Sequence, residues 1–358
     1  MSWQRVRGHE ALVQAFGRAR QRGRLAHAYL FTGPPGVGKR LFADELAKAL
    51  LCEASPPPHP TLSPEGGEGR VRGQLEACDR CPACAQVEAG THPDLFTAGR
   101  PADSPNLPIE VVRELCRNLS LKPARGHGKV AILDDADDLN DPITNHAAAN
   151  AFLKTLEEPP PRSVLILIGT SSDLQLLTIV SRCQIVRFKP LPPALVADLL
   201  RADGLEDAAL IERLVRLSNG SPGQARQLAD PALWDFRRTF LEGLARPQPD
   251  SVSLAQVWTR FVEEAGKESA AQRRRAALVL RLLIEFLNDA LCLSLGGTPR
   301  LAEEDDLRLL RELVKRASPE RLLALLERCL EADAQIDRRV QLVLVLEALL
   351  DTLGQKLK

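Results

Sequence analysis

The sequence predicts an α/β protein: a phosphate-loop domain built on a parallel sheet flanked by helices and carrying a four-cysteine module, then a small helical lid and an all-α C-terminal domain. Three observations carry this reading. The run Gly33-Pro34-Pro35-Gly36-Val37-Gly38-Lys39 follows an apolar stretch, Ala28-Tyr29-Leu30-Phe31, and opens a periodic segment over 41–51, the strand-loop-helix setting of a phosphate loop. Two further apolar runs, 129–133 and 163–170, read as strands buried on both faces, and the helical stretches between them imply parallel pairing. Beyond Pro190 strands vanish and leucine-rich helical periodicity takes over.

In a phosphate loop, backbone N–H groups and the helix N-terminus cradle phosphate oxygens, the lysine reaches the terminal phosphates, and a following Ser or Thr hydroxyl holds Mg²⁺. Here that following residue is Arg40. Its guanidinium has only donors and a fixed positive charge, so it cannot ligate a metal and repels one at close range. Gly33, Gly36, Gly38, Lys39 and Arg40 are therefore expected to form an anion site with poor or absent hydrolysis, a vestigial nucleotide site. The bland alternative is a glycine-rich turn.

With 358 residues the chain is long enough for two or three domains, and its 44% hydrophobic content supplies several cores. No apolar run is long enough to span a bilayer, and Met1-Ser2-Trp3-Gln4-Arg5 lacks a signal-peptide core, so a cytoplasmic protein without membrane partners is expected. The 47 basic and 47 acidic residues balance, so the overall field gives no drive toward nucleic acid. Of eight cysteines, Cys78, Cys81 and Cys84 cluster at spacings that let thiolates converge on one tetrahedral ion, with Cys52 the expected fourth ligand and His92 its main rival. Zinc is the natural metal. An iron-sulfur run would need a further cysteine after three intervening residues, at position 88, where Glu88 stands. The Pro/Gly-rich insertion 53–77 cannot bury enough apolar surface to order itself and reads as a mobile loop without assigned function.

The strand over 129–133 ends in Asp134-Asp135, the positions where a nucleotide-binding sheet places the Mg²⁺-holding acid and the residue that polarises the attacking water. An aspartate in the second place is one methylene shorter than the usual glutamate. Alone, both acids would be read as strand-ending turn residues. A further strand is expected within 178–188.

These residues carry a resemblance. The phosphate loop, the Cys52/Cys78/Cys81/Cys84 module, Gly90-Thr91-His92-Pro93-Asp94, the run from Asn150 through Leu156-Glu157-Glu158-Pro159-Pro160, and Ser181-Arg182-Cys183 resemble the clamp-loader subunits of bacterial DNA polymerase III, over the first two thirds of the chain most densely. The resemblance implies an AAA+ module over 1–190, a helical lid over 191–230 and a helical collar for oligomerisation over 231–358. It also implies that Arg182 is an arginine finger, acting in trans on ATP held by a neighbouring motor subunit. The implied partners are gamma/tau motor subunits, a delta subunit, the sliding clamp and, through the complex, primed DNA. The family's sensing arginine in a Gly-Ser-x-Arg pattern is replaced here by Gly223.

Arg40, Asp135 and Gly223 all depart in the direction of lost turnover, while Arg182 is kept, so the expected protein donates a catalytic group rather than consuming ATP. Two alternatives stand beside it: an active gamma/tau-like ATPase, and a zinc-dependent DNA-binding module. The basic runs Arg18/Arg20/Arg22/Arg24 and Arg273/Arg274/Arg275 read as solvated faces before phosphate contacts.

Overall fold

The structure is a computed structural model that describes residues 2–54, 75–101, 104, 107–125, 128–140, 146–299 and 304–357. Most of the expected mobile insertion therefore lies outside the described residues. The chain divides into two compact units, Met1–Asp203 with Ser218–Gln224, and Gly204–Leu217 with Ala225–Lys358. The expected lid is shared between them.

The first unit holds a five-stranded parallel sheet of β1 (Ala28–Thr32), β2 (Leu95–Ala98), β3 (Lys129–Leu133), β4 (Ser163–Ile168) and β5 (Gln184–Arg187) in the order β2-β3-β4-β1-β5. The three central strands are buried at every position, which is why they read as unbroken apolar runs, whereas edge strands β2 and β5 are only partly covered. Alternation divides each strand between two faces. Ala28 and Leu30, Ala131 and Leu133, and Leu165 and Leu167 join Val112, Leu115 and Leu119 of helix Ile109–Ser120 and Phe152 and Leu156 of helix His146–Glu157. Tyr29 and Phe31 point the other way, into an aromatic cluster with Phe16 of helix Glu10–Gln21 and Phe42 of helix Lys39–Leu51.

In this strand order β4 lies between the strand that feeds the phosphate loop and the strand that ends in the acid pair. Brought side by side, the carboxyl ends of β1, β4 and β3 form the crevice where open α/β sheets bind ligands. The crevice is stitched together by backbone: Gly169 N–H donates to Phe31 O at 2.9 Å, and Gly33 N–H donates to Thr170 O at 2.9 Å.

The second unit is all helix among its described residues. Helix Pro231–Leu244 opens with the Asp230 carboxylate accepting from Ala232 N–H at 3.0 Å and Pro231 in the first turn where no N–H is needed. Phe236 stacks on Phe261 at 4.2 Å between centroids, and Trp258 is fully buried. Leu280, Leu282, Leu283, Val345 and Leu346 are buried in this unit, while Val340, Val343 and Leu344 stay exposed.

Phe42 touches Trp3, Phe16, Phe31 and Phe188 and is fully buried. Phe42→Ala is expected to cost the first unit about 3–5 kcal/mol in equilibrium denaturation, the range for truncating a buried aromatic.

Candidate functional site

The phosphate loop lies between β1 and helix Lys39–Leu51, and its glycines are needed where the chain turns left-handed: Gly38, φ 105°, is the residue just before the helix. Lys39 is only 7% exposed, and its Nζ donates to the loop's own carbonyls, Gly33 O and Pro34 O, the latter at 2.9 Å. Burial lowers the Lys39 pKa, and the charges of Asp137 and Asp134 oppose that pull. His9 Nε2 approaches Val37 O at 2.9 Å, pinning the loop from the other side.

Arg40 reaches across the crevice. Its Nη1 donates to Asp134 Oδ2 and its Nε to Asp44 Oδ1 at 2.9 Å, one helical turn on. Burial pulls the Arg40 pKa down, but the charges and hydrogen bonds of Asp134 and Asp44 outweigh it and leave it raised. Burial lifts the Asp134 carboxyl above its ordinary value against the pull of Arg40. The acid at the end of β3 is thus engaged by a guanidinium.

Asp135 is held in a left-handed conformation, φ 54°, and its Oδ2 accepts from Arg100 N–H at 3.2 Å. The crevice measures about 320 Å³ and is lined by both acids, the loop, and Asp137, Gly169 and Thr170. Asp137 has no assigned role from sequence, yet it is the acid that binds the end of β4. Its Oδ2 accepts from Thr170 N–H at 2.8 Å and Oγ1 at 2.7 Å, and its Oδ1 accepts from Gln175 at 2.6 Å. Nothing local marks it, because its partners lie more than thirty residues away.

The segment that should carry a sensing arginine packs directly on the loop. Ser221 Oγ donates to Pro35 O at 2.8 Å, and Gly223 N–H donates to Gly36 O at 3.0 Å. Two glycines meet here because neither position has room for more. A Cβ on Gly223 would stand 2.8 Å from Gly36 Cα, and one on Gly36 (φ 75°) would stand 2.7 Å from Ser221 Oγ.

Cys52, Cys78, Cys81 and Cys84 converge with all sulfurs within 4.8 Å of one another. Sγ–Sγ distances of 4.0 Å for Cys52–Cys81 and Cys78–Cys84 compare with about 3.8 Å for the edge of a tetrahedron whose metal–sulfur bonds are about 2.3 Å. The four thiols fit a tetrahedral ion. Backbone N–H groups of Cys78, Cys81 and Cys84 already point at the sulfurs of Cys52, Cys78 and Cys81, the arrangement that stabilises thiolates. The N–H of Arg80 leads in lowering Cys78 to about 7, while burial pushes the Cys84 thiol up. A divalent charge at the centre would favour the thiolate form of both.

His92 stands outside the sulfur group. Its Nδ1 accepts from Asp94 N–H, and the Asp94 carboxylate accepts from Ala124 N–H and Arg125 N–H, so this motif binds backbone.

Lys48, missed from sequence because an isolated lysine in a helix carries no signal, ties the cysteine loop to the helix after the phosphate loop. Its Nζ is buried among Glu45 Oε2 at 3.1 Å, Asp79 Oδ1 at 2.9 Å and Glu88 Oε1 at 3.3 Å. Burial opposes its charge, but the hydrogen bonds from Asp79 and Glu45 outweigh that and raise its pKa.

Arg182 follows the short helix Leu177–Val180, at the start of the turn into β5. Its Nη2 donates to Glu157 Oε1 at 2.7 Å and its Nη1 to Thr178 O at 2.9 Å and Ser181 Oγ at 3.3 Å. Two motifs far apart in sequence thereby meet. Leu174 and Leu177, eight and five residues before Arg182 in the chain, are 51% and 83% exposed. The basic runs hold structural contacts: Arg20 is buried on Ala49 O, and Arg273 caps the carbonyls of Ile336, Arg339 and Val340.

The chain is similar to known proteins along most of its length. The family described as "DNA polymerase III, delta subunit" matches residues 8–192, and "DNA polymerase III, delta subunit, C terminal" matches 231–353. The DNA polymerase III subunit delta' of Escherichia coli (strain K12) is 33% identical over 318 residues, 88% of this chain and 84% of that protein. That of Pseudomonas aeruginosa is 36% identical over 242 residues, 66% of this chain and 67% of its own. The tau subunit of Escherichia coli is 30% identical over 233 residues, 64% of this chain and 32% of its own. A solved gamma subunit-related protein of Thermotoga maritima covers 97% of this chain and 99% of its own at 17% identity, with a TM-score of 0.47.

An alanine in a helix ordinarily gains about 1 kcal/mol over glycine. At Gly223 the clash with the Gly36 backbone decides the sign, so Gly223→Ala is expected to destabilise by about 1–3 kcal/mol. Thermal denaturation reads this, and an unchanged or raised midpoint would show that the two glycines do not touch.

Proposed function

This chain belongs to the DNA polymerase III delta' family of clamp-loader subunits, and we propose that within the loader it gives an arginine to a neighbour's ATP while its own phosphate loop acts as scaffold. The observation that carries the reading is the Arg40–Asp134 ion pair, which sets a cation where a motor subunit needs a metal and the acid that holds it. The engaged Asp135 and the Gly36–Gly223 contact support it, because they occupy the water-polarising and sensing positions with groups that serve packing. Parts of a catalytic unit fail non-additively, so three such departures leave no independent motor.

Arg182 would act across a subunit seam on a gamma/tau-type motor. As the bond to the terminal phosphoryl group breaks, negative charge spreads over the transferred oxygens, and a guanidinium placed there by the neighbour stabilises it. The exposed Leu174 and Leu177, a few residues before it in the chain, suit burial against a partner, since large exposed apolar side chains make a poor free surface. A delta subunit, the sliding clamp and primed DNA complete the proposed assembly, and a cytoplasmic location goes with it. Among the described residues no helix is long and apolar enough to cross a membrane.

The four-cysteine site would hold zinc in a closed structural role, since all four positions are sulfur and none is left for substrate. When bound, the ion supplies cross-linking of the 78–84 loop to the end of helix Lys39–Leu51 and no reaction step.

In a loader reconstituted with motor subunits, clamp and primed DNA, Arg182→Ala is expected to slow hydrolysis at the adjoining site by about 10³-fold or more, the range for arginine fingers. Unchanged single-site turnover would end the donor reading, as would vigorous ATP hydrolysis by this chain alone. Metal analysis of the purified chain should give about one zinc per molecule, and Cys81→Ser should lose it together with thermal stability. A metal-free wild-type chain of equal stability would refute the zinc site.

A further inference from the structure

The Arg182 guanidinium is held by its own turn and by the end of a helix earlier in the chain. Nη1 is folded back on the turn that carries it, at Thr178 O and Ser181 Oγ, and Nη2 is taken by Glu157 Oε1. A group held this way is parked. To reach a neighbour's phosphates it must give up these acceptors.

Glu157 is built as a fixed post for that purpose. It is the last residue of helix His146–Glu157, where the macrodipole presents its negative end and a second acid, Glu158, follows. A carboxylate is disfavoured there unless a cation faces it, and Arg182 is that cation. The helix end itself does not move freely: Leu156 is buried, and its carbonyl accepts from His27 Nε2 at 3.2 Å. The pair is also weak enough to break. Both side chains are substantially exposed, 35% for Arg182 and 52% for Glu157, so water and salt screen their attraction. A nucleotide's terminal phosphates carry more charge than one carboxylate and offer a guanidinium the same two-oxygen geometry.

We propose that Glu157 is the positioning residue that holds Arg182 folded against its own turn until the phosphates of a neighbour's bound nucleotide draw it off. The inference rests on the donor reading of Arg182 and adds to it a threshold. Hydrolysis by the neighbour then begins only when the seam closes far enough for phosphate to outcompete Glu157, which suppresses idle turnover without touching the reacting atoms.

The test is made in the reconstituted loader, comparing ATP hydrolysis without DNA and at saturating clamp and primed DNA. Glu157→Gln keeps the shape and removes the charge. It is expected to raise the DNA-independent rate about two- to fivefold, the bias an exposed ion pair can supply, while the stimulated maximum and the thermal midpoint stay at wild-type values. Glu157→Asp keeps the charge and should return the DNA-independent rate toward wild type. The double variant Glu157→Gln/Arg182→Ala should fall to the Arg182→Ala rate in both conditions, since the effect runs through that arginine. If Arg182→Ala slows stimulated hydrolysis but Glu157→Gln leaves the DNA-independent rate unchanged, or lowers both rates together, the holding role is wrong and the donor reading survives. If Arg182→Ala changes nothing, the donor reading fails and takes this one with it.

Discussion

A guanidinium standing between the phosphate loop and the acid of β3 is the constraint on which the rest of the crevice depends. Two unit charges about 4 Å apart interact by ~4 kcal/mol at an effective dielectric near 20, and a divalent ion doubles the repulsion. Arg40 therefore opposes a metal twice, by its own charge and by holding Asp134. With the Arg40 guanidinium turned to Asp134, the neighbouring groups hold contacts of their own. Asp135 can turn its carboxylate to the Arg100 N–H, Lys39 can settle on loop carbonyls, and Gly223 can be reduced to backbone that packs on Gly36.

Much of this was legible in the chain because it is local. The phosphate loop, the three fully buried strands and the cysteine spacing each lie within a few residues, and each imposes a pattern that few other structures would produce. The strand order was not legible in the same way. Nothing in residues 163–168 says that β4 enters between β1 and β3, since parallel neighbours are chosen by packing of whole helices against both faces. The same holds for Asp137 and Lys48. Each is an ordinary polar residue until the fold sets its partner beside it, thirty-three and thirty-one residues away for Thr170 and Asp79.

Lys48 shows how a cysteine site can serve the sheet without touching it. A buried ammonium with three carboxylates around it is costly to break, because removing one partner leaves uncompensated charge in a desolvated place. Asp79 lies between Cys78 and Cys81 in a left-handed conformation, so the sulfur group and Lys48 constrain the same short loop. Cys52 stands at the other end of the helix that begins with Lys39 and Arg40. The helix that aims Arg40 at Asp134 is thereby anchored just past its far terminus by sulfur and in its last turn by charge.

Such anchoring fits a part whose usefulness lies in holding still. A motor must reshape its nucleotide pocket in every cycle, which requires elements of low local stability around the site. Here the crevice is closed by contacts that motion would break: backbone to backbone at Gly36 and Gly223, side chain to backbone at Ser221, and ion pair at Arg40. The contact of Arg182 with Glu157 is partly exposed, as is that of Arg40 with Asp134. What fixes the crevice most firmly is therefore the backbone packing at Gly36 and Gly223, where neither chain segment has room to shift toward the other.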